Sequence, residues 1–157
     1  MSYSKTLQPR KPWEQYFLDI AKEVASRSSC PRASSGCIAV SDDNRILATG
    51  YNGAPSGWDN CLEAGCDVVN NHCIRAIHGE QNVICAAARF GISLKGARIF
   101  EWWNPISQDS RKNYDAESSQ ESIKKFPCYV CRNTMVGAGI KEIVIYNTVL
   151  NLITTYS

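Results

Sequence analysis

Eight cysteines, at positions 30, 37, 61, 66, 73, 85, 128 and 131, constrain this chain more than any other feature. In a small secreted scaffold an even count would read as a disulfide framework. Here 157 residues are enough to bury a core without covalent staples. Met1 to Pro12 has no apolar stretch of the kind that directs a chain to an oxidising compartment. The expectation is a cytoplasmic setting, where closely spaced cysteines bind metal or do redox work.

The charge balance narrows the partners. With 17 Lys+Arg against 15 Asp+Glu the net charge is +2, so a nucleic-acid duplex is an unsuitable partner and a small ligand a better one. No apolar run approaches the roughly 18 residues needed to cross a bilayer. The length suits one domain over residues 1–157.

Periodicity predicts a helix over residues 12–28, with Trp13, Phe17, Ile20, Ala21 and Val24 on its apolar stripe, closed by Cys30-Pro31. Residues 36–41 and 45–51 read as paired strands around Asp42-Asp43-Asn44. Residues 52–73 form a long irregular segment, functional or held by something outside a core. A helix over 77–90, a strand over 97–102, a helix over 128–138 and a strand over 143–146 follow. Residues 103–126 form a polar insertion: its aromatic edges, Trp102, Trp103 and Phe126, suit a lid that orders over a ligand, and the alternative is a surface elaboration or a subunit contact. The tail after Asn147 is ambiguous. This order suggests an α/β/α sandwich with a mixed sheet, its last two strands parallel.

Two motifs carry chemistry: His78-Gly79-Glu80 and Pro127-Cys128-Tyr129-Val130-Cys131, each opening a helix. Either alone is weak evidence. Together, one imidazole and two thiolates give Zn²⁺ three ligands and leave the fourth tetrahedral position for water, as in catalytic zinc sites. A helix N-terminus favours negative sulfur. Zinc lowers the pKa of a bound water toward about 7, and Glu80 is placed to take its proton without joining the metal. The pairing of His-x-Glu with Pro-Cys-x-x-Cys is the signature of zinc nucleobase deaminases. The competing readings are a closed four-ligand structural site and a Cys128–Cys131 redox dithiol.

The chain resembles the deoxycytidylate (dCMP) deaminases of the cytidine deaminase-like superfamily over roughly residues 12–145. The matching stretches are Trp13-Glu14-Gln15-Tyr16-Phe17, Ser29-Cys30-Pro31-Arg32, Ala48 to Gly57 with its Gly-Tyr-Asn-Gly-x-Pro run, His72-Cys73-Ile74-Arg75, Ile77 to Asn82, Pro127 to Cys131 and Ala138 to Lys141. The resemblance implies a cytidine deaminase-like sheet of about five strands flanked by helices, dCMP as substrate, and dUMP and ammonia as products. It implies His78, Cys128 and Cys131 as zinc ligands, Glu80 as proton shuttle, and Asn52 as a sugar contact. It further implies a homo-oligomer, hexameric in many members, with dCTP and dTTP as effectors alongside Mg²⁺ at the loop Gly53, Ala54, Pro55 and Ser56. Gly79 stands where the family usually has Ala. The Tyr expected over the substrate falls near Val149, with Tyr146 the nearest alternative. Within the enzymes, a modified cytosine nucleotide, a nucleoside or a single strand remains an alternative substrate.

Cys30, Cys61, Cys66 and Cys73, with His72 as an alternate, lie around the irregular segment and are candidates for a second, structural zinc. Cys37 and Cys85 sit in apolar surroundings and, with Trp13, Phe17 and Phe90, read as core. Arg32, Arg75 and Lys141 are the candidate cations for a nucleotide phosphate.

Overall fold

The computed structural model describes residues 9–70, 72–107 and 127–157. Most of the polar insertion, and with it the expected lid, lies outside them. Helix α1 (Trp13–Ala25) is followed by β1 (Ala33–Val40) and β2 (Ile46–Tyr51). The segment after β2 holds a single-turn α2 (Cys61–Ala64) and the two-residue strands β3 (Val68–Val69) and β4 (His72–Cys73). Helix α3 (Gly79–Arg89), β5 (Arg98–Pro105), α4 (Tyr129–Gly137), β6 (Glu142–Asn147) and β7 (Leu152–Tyr156) complete the order.

The main sheet has five strands in the order β2-β1-β5-β6-β7, and the α/β architecture expected from the sequence stands. β5 and β6 are parallel, joined through α4, and every other adjacent pair is antiparallel. The ambiguous tail is β7, an edge strand paired only to β6. β5 runs three residues past its expected end because Trp103, Asn104 and Pro105 pair with Ser35, Ser34 and Ala33.

Successive strand residues point to opposite faces, and both faces are covered. On one, Ile38, Val40, Phe100 and Val144 meet Phe17 and Leu18 of α1. On the other, Cys37, Ala39, Ile99, Trp103, Ile143 and Ile145 meet Val83 and Ala87 of α3 and Cys131 and Met135 of α4. Three expected core residues lie outside. Trp13 is 54% exposed, stacking on Phe17 from the solvent side, and Phe90 is 74% exposed at the end of α3. Cys85 also faces solvent, because the buried stripe of α3 is Val83 and Ala87.

α3 sits almost on the backbone of β2. A Cβ on Gly50 would lie 2.3 Å from the Val83 amide nitrogen, so glycine alone permits this approach. Asn82 Nδ2 then donates to the Tyr51 carbonyl at 2.7 Å. Reciprocal hydrogen bonds between Gly53 and Ile77 return the irregular segment to the start of α3. These contacts fix where His78 stands.

Candidate metal centre

His78 is the N-cap of α3 and Cys128 the N-cap of α4, both in extended backbone conformation. The two helices direct their N-termini, the positive ends of their dipoles, to one place. Cys128 Sγ lies 3.5 Å and Cys131 Sγ 3.3 Å from His78 Nδ1. Tetrahedral zinc with Zn–N near 2.1 Å and Zn–S near 2.3 Å would separate a nitrogen and a sulfur by about 3.5 Å. The donor set therefore fits the ion in both chemistry and spacing.

The local electrostatics prepare one thiolate. The Cys128 thiol is held down to about 4, first by its hydrogen bond with Cys131, then by His78 and the Cys131 backbone N–H. Cys131 is pushed far above the usual thiol range by the same bond and by burial, so without metal it keeps the proton that Cys128 gives up. The His78 imidazole is shifted toward its charged form, chiefly by Cys128.

Glu80, in the first turn of α3, is buried beside these ligands. Desolvation raises its pKa against the opposing pull of His78. Its Oε1 is buried without a hydrogen-bond partner. A cleft of about 560 Å³ opens at this point, with His72, Cys73, His78, Cys128, Tyr129 and Arg132 among its walls.

The ligand-bearing region is also where comparison with known proteins is most informative. Residues 11–147 match the model of the cytidine and deoxycytidylate deaminase zinc-binding region. The chain belongs to this family. It is 31% identical over 135 residues to the deoxycytidylate deaminase of Mycobacterium phage D29, covering 86% of this chain and 94% of that protein. It is 34% identical over 134 residues to ComE operon protein 2 of Bacillus subtilis (strain 168), covering 85% of this chain and 59% of the relative. In fold it is similar to the dCMP deaminase of cyanophage S-TIM5 in complex with dCMP and dUMP. That match has a TM-score of 0.63 and 25% identity, over 88% of this chain and 85% of the other. The chain thus spans nearly all of the phage D29 enzyme and about three-fifths of the Bacillus relative.

Within this family member, the other site expectations divide. Cys61, Cys66 and Cys73 bring their sulfurs within 4.8 Å of one another, and Cys61 Sγ is 3.6 Å from Cys73 Sγ. Cys30 is outside that group, though near enough to Cys66 to raise its pKa. Burial pushes the Cys61 thiol up to about 12. Burial also opposes ionisation of Cys73, but the backbone N–H groups of Ala76, Arg75 and Asp67, with Cys61, hold its pKa low. His72 and Cys73 both line the cleft beside His78.

Asn52 is buried and tied to backbone: Oδ1 accepts from the Ser35 N–H and Nδ2 donates to the Ala33 carbonyl, both at 2.8 Å. Tyr146 is not brought to the cleft. Strand alternation packs it on the α1 face, and its hydroxyl donates to Asn151 at 2.7 Å. Of the candidate phosphate cations, Lys141 is paired with Asp42 and Arg75 has a buried Nε without a partner. Sequence reasoning missed Arg132 on the cleft wall and a second buried acid, Glu101. The signal for Glu101 was available: a carboxylate between Phe100 and Trp102 in an apolar strand.

Proposed function

We propose that this chain hydrolyses a cytosine mononucleotide, dCMP foremost, to the uracil nucleotide and ammonia with zinc at its centre. The observation that carries the reading is the convergence of His78 Nδ1 and the Cys128 and Cys131 sulfurs beside buried Glu80. When bound, zinc supplies an acidified water able to attack C4 of the base. His78, Cys128 and Cys131 hold the ion, two of them fixed by their helix-cap positions. Glu80 would take a proton from the attacking water and pass it to N3 of the base. It would then take the second proton from the new C4 hydroxyl and deliver it to the amine, so that C4=O forms as the C–N bond breaks and ammonia leaves. Burial raises its pKa against the pull of His78, which suits a group that must both take and release a proton.

The cyanophage enzyme solved with dCMP and dUMP, and the deoxycytidylate deaminase of phage D29, support the mononucleotide over a nucleoside. In this reading Arg132 on the cleft wall receives the phosphate, and Asn52 offers the sugar its remaining amide hydrogen. The test is ammonia release across dCMP, CMP, dCTP, 5-substituted dCMP, deoxycytidine and a short single strand. A faster rate on deoxycytidine or the strand would overturn the mononucleotide assignment. Arg132→Gln is expected to raise KM for dCMP about 10-fold or more, the loss of one charge-assisted hydrogen bond, and to leave deoxycytidine kinetics unchanged.

The reading includes a second, structural zinc on Cys61, Cys66 and Cys73, with Cys30 or His72 as fourth ligand. Three converging sulfurs, one already stabilised as thiolate by backbone N–H groups, support it. Cys61→Ala is expected to lower bound zinc by about one per chain and the melting temperature by about 4 °C or more, as 1–2 kcal/mol does in a domain of this size. Unchanged zinc and melting would leave these residues as neighbouring thiols.

The proposal extends to a cytoplasmic homo-oligomer, hexameric like many deoxycytidylate deaminases, with dCTP and dTTP acting alongside Mg²⁺ near Gly53, Ala54, Pro55 and Ser56. Exposed Trp13, Trp58, Leu62 and Ile74 support association, and the Gly53–Ile77 bridge gives the loop a mechanical route to His78. Light scattering gives the subunit number, and titration with each triphosphate the regulation. Eight unpaired thiols suit a reducing compartment. Among the described residues no helix is long and apolar enough to cross a membrane.

A further inference from the structure

Glu101 is at the centre of the sheet, paired to Cys37 on one side and Ile145 on the other, and is fully buried. Its carboxyl faces α3 and α4. There a Glu101 oxygen, a Glu80 oxygen and Cys37 Sγ lie within 4.8 Å of one another. A buried acid in this position has no role in the mechanism above, and its surroundings define what state it must adopt.

The Ser35 hydroxyl donates to Glu101 Oε1 at 2.6 Å, which makes Oε1 the acceptor end of the carboxyl. Glu101 Oε2 is buried with no partner, and so is Glu80 Oε1. Two carboxylate oxygens cannot satisfy each other, because neither has a hydrogen. If Glu101 carries a proton on Oε2, that atom becomes a donor and Glu80 Oε1 its acceptor. An oxygen of each carboxyl lies within 4.8 Å of the other, a span that a single bridging water or a closer approach of the two side chains covers.

The groups acting on Glu101 select the neutral form. Complete burial at the centre of the sheet comes first, and the neighbouring Glu80 carboxyl within 4.8 Å adds to it, against the Ser35 hydrogen bond. Neighbouring Cys37 stays a thiol, with its complete burial the first reason. Two buried carboxyls at this separation do not both ionise.

Gly79 completes the arrangement. A Cβ at this position would lie 2.8 Å from Ser35 Oγ and 3.0 Å from Cys37 Sγ. Glycine lets the first turn of α3 settle against the Ser35 hydroxyl while that hydroxyl is engaged with Glu101. The glycine of the His78-Gly79-Glu80 motif, the serine of β1 and the acid of β5 form one polar package behind Glu80.

We infer that Glu101 is a positioning residue for the reaction: a neutral carboxylic acid, anchored by Ser35, that donates to the rear oxygen of Glu80 and fixes the orientation of its other oxygen toward the metal-bound side. The inference rests on the deaminase reading, since Glu80 is positioned for that chemistry.

The test compares Glu101→Gln, Glu101→Leu and Ser35→Ala with the parent, measuring zinc content, melting temperature, and kcat and KM for ammonia release from dCMP. Glutamine keeps an acceptor for Ser35 and a donor for Glu80, so kcat should stay within about threefold of the parent. Leucine removes the donor, so kcat should fall about 10- to 100-fold with KM and zinc unchanged, the loss of one hydrogen bond to a charged group. Its melting temperature should not fall, because an apolar residue replaces a buried acid. If leucine does not fold, Ser35→Ala decides: it frees the Glu101 carboxyl and should lower kcat several-fold with KM unchanged. Parental kcat in Glu101→Leu or Ser35→Ala, or equal damage from glutamine and leucine, overturns the inference. Infrared spectra in D₂O at neutral pH give a readout independent of turnover. The parent should show the carbonyl stretch of a buried protonated carboxyl that Glu101→Gln lacks, and absence of that band overturns the assignment. A parent that releases no ammonia from any cytosine compound would sink the deaminase reading while the infrared arm still judges the state of Glu101.

Discussion

Glu80→Gln should lose about 10²- to 10⁴-fold in kcat while keeping its zinc, the range for removing a positioned general acid–base group. Glutamine matches the carboxylate in size, so the buried site in the first turn of α3 keeps its packing and the three ligand atoms keep their places. What disappears is the ability to accept a proton from water and release it to the base and the leaving amine. Metal analysis and steady-state ammonia release on the same preparation check this. Turnover near the parental rate in a zinc-loaded variant would remove Glu80 from the chemistry.

Cys128→Ser should lose both the catalytic metal and activity, because a hydroxyl does not replace a thiolate that is ionised at neutral pH. Full zinc occupancy in this variant would mean that the ligand assignment is wrong. A pH dependence in the metal-stripped protein follows from the same residue. Its thiol pKa is about 4 in the fold against an ordinary value of 9.0, so between those limits the unfolded chain binds more protons. Stability from this group is therefore complete above pH 9 and lost as pH falls through 4. Cys131 is shifted the other way and affects stability only above its ordinary thiol range. His78, Glu80 and Glu101, raised in the fold, act the other way in this window, so the expected result is the difference. Chemical denaturation at intermediate pH values should give a slope more positive for the stripped parent than for the stripped Cys128→Ser.

The candidate metal cluster was legible in the sequence because its parts are local. A histidine and a Cys-x-x-Cys, each just ahead of a helical pattern, become N-caps wherever those helices are placed. Two ligand-bearing caps fifty residues apart have one economical use. The apolar stripe of α1 located Phe17 and Ala21 in the core for the same reason. Trp13, one turn earlier, was misplaced because periodicity assigns a face and says nothing of where the sheet beneath it ends. The cysteines around the irregular segment were legible as a group, but their distances were not. Only the turn through β3 and β4 decides that Cys61, Cys66 and Cys73 converge and that Cys30 stands apart from them.

What the sequence by itself determined is therefore the family, the α/β order of elements, and which residues, His78, Cys128 and Cys131 with Glu80, are the candidates for the metal centre. The tertiary structure alone decided which face each residue of a doubly buried strand occupies. Strands covered on both sides carry apolar residues on both faces, so alternation of polar and apolar residues does not give the parity. That parity sends Tyr146 to α1, away from the cleft, and sends Glu101 to the back of Glu80. It also reveals why residue 79 is glycine: the space its side chain would take is held by a hydroxyl from a strand forty-odd positions earlier, a proximity that exists only once α3 lies on the sheet.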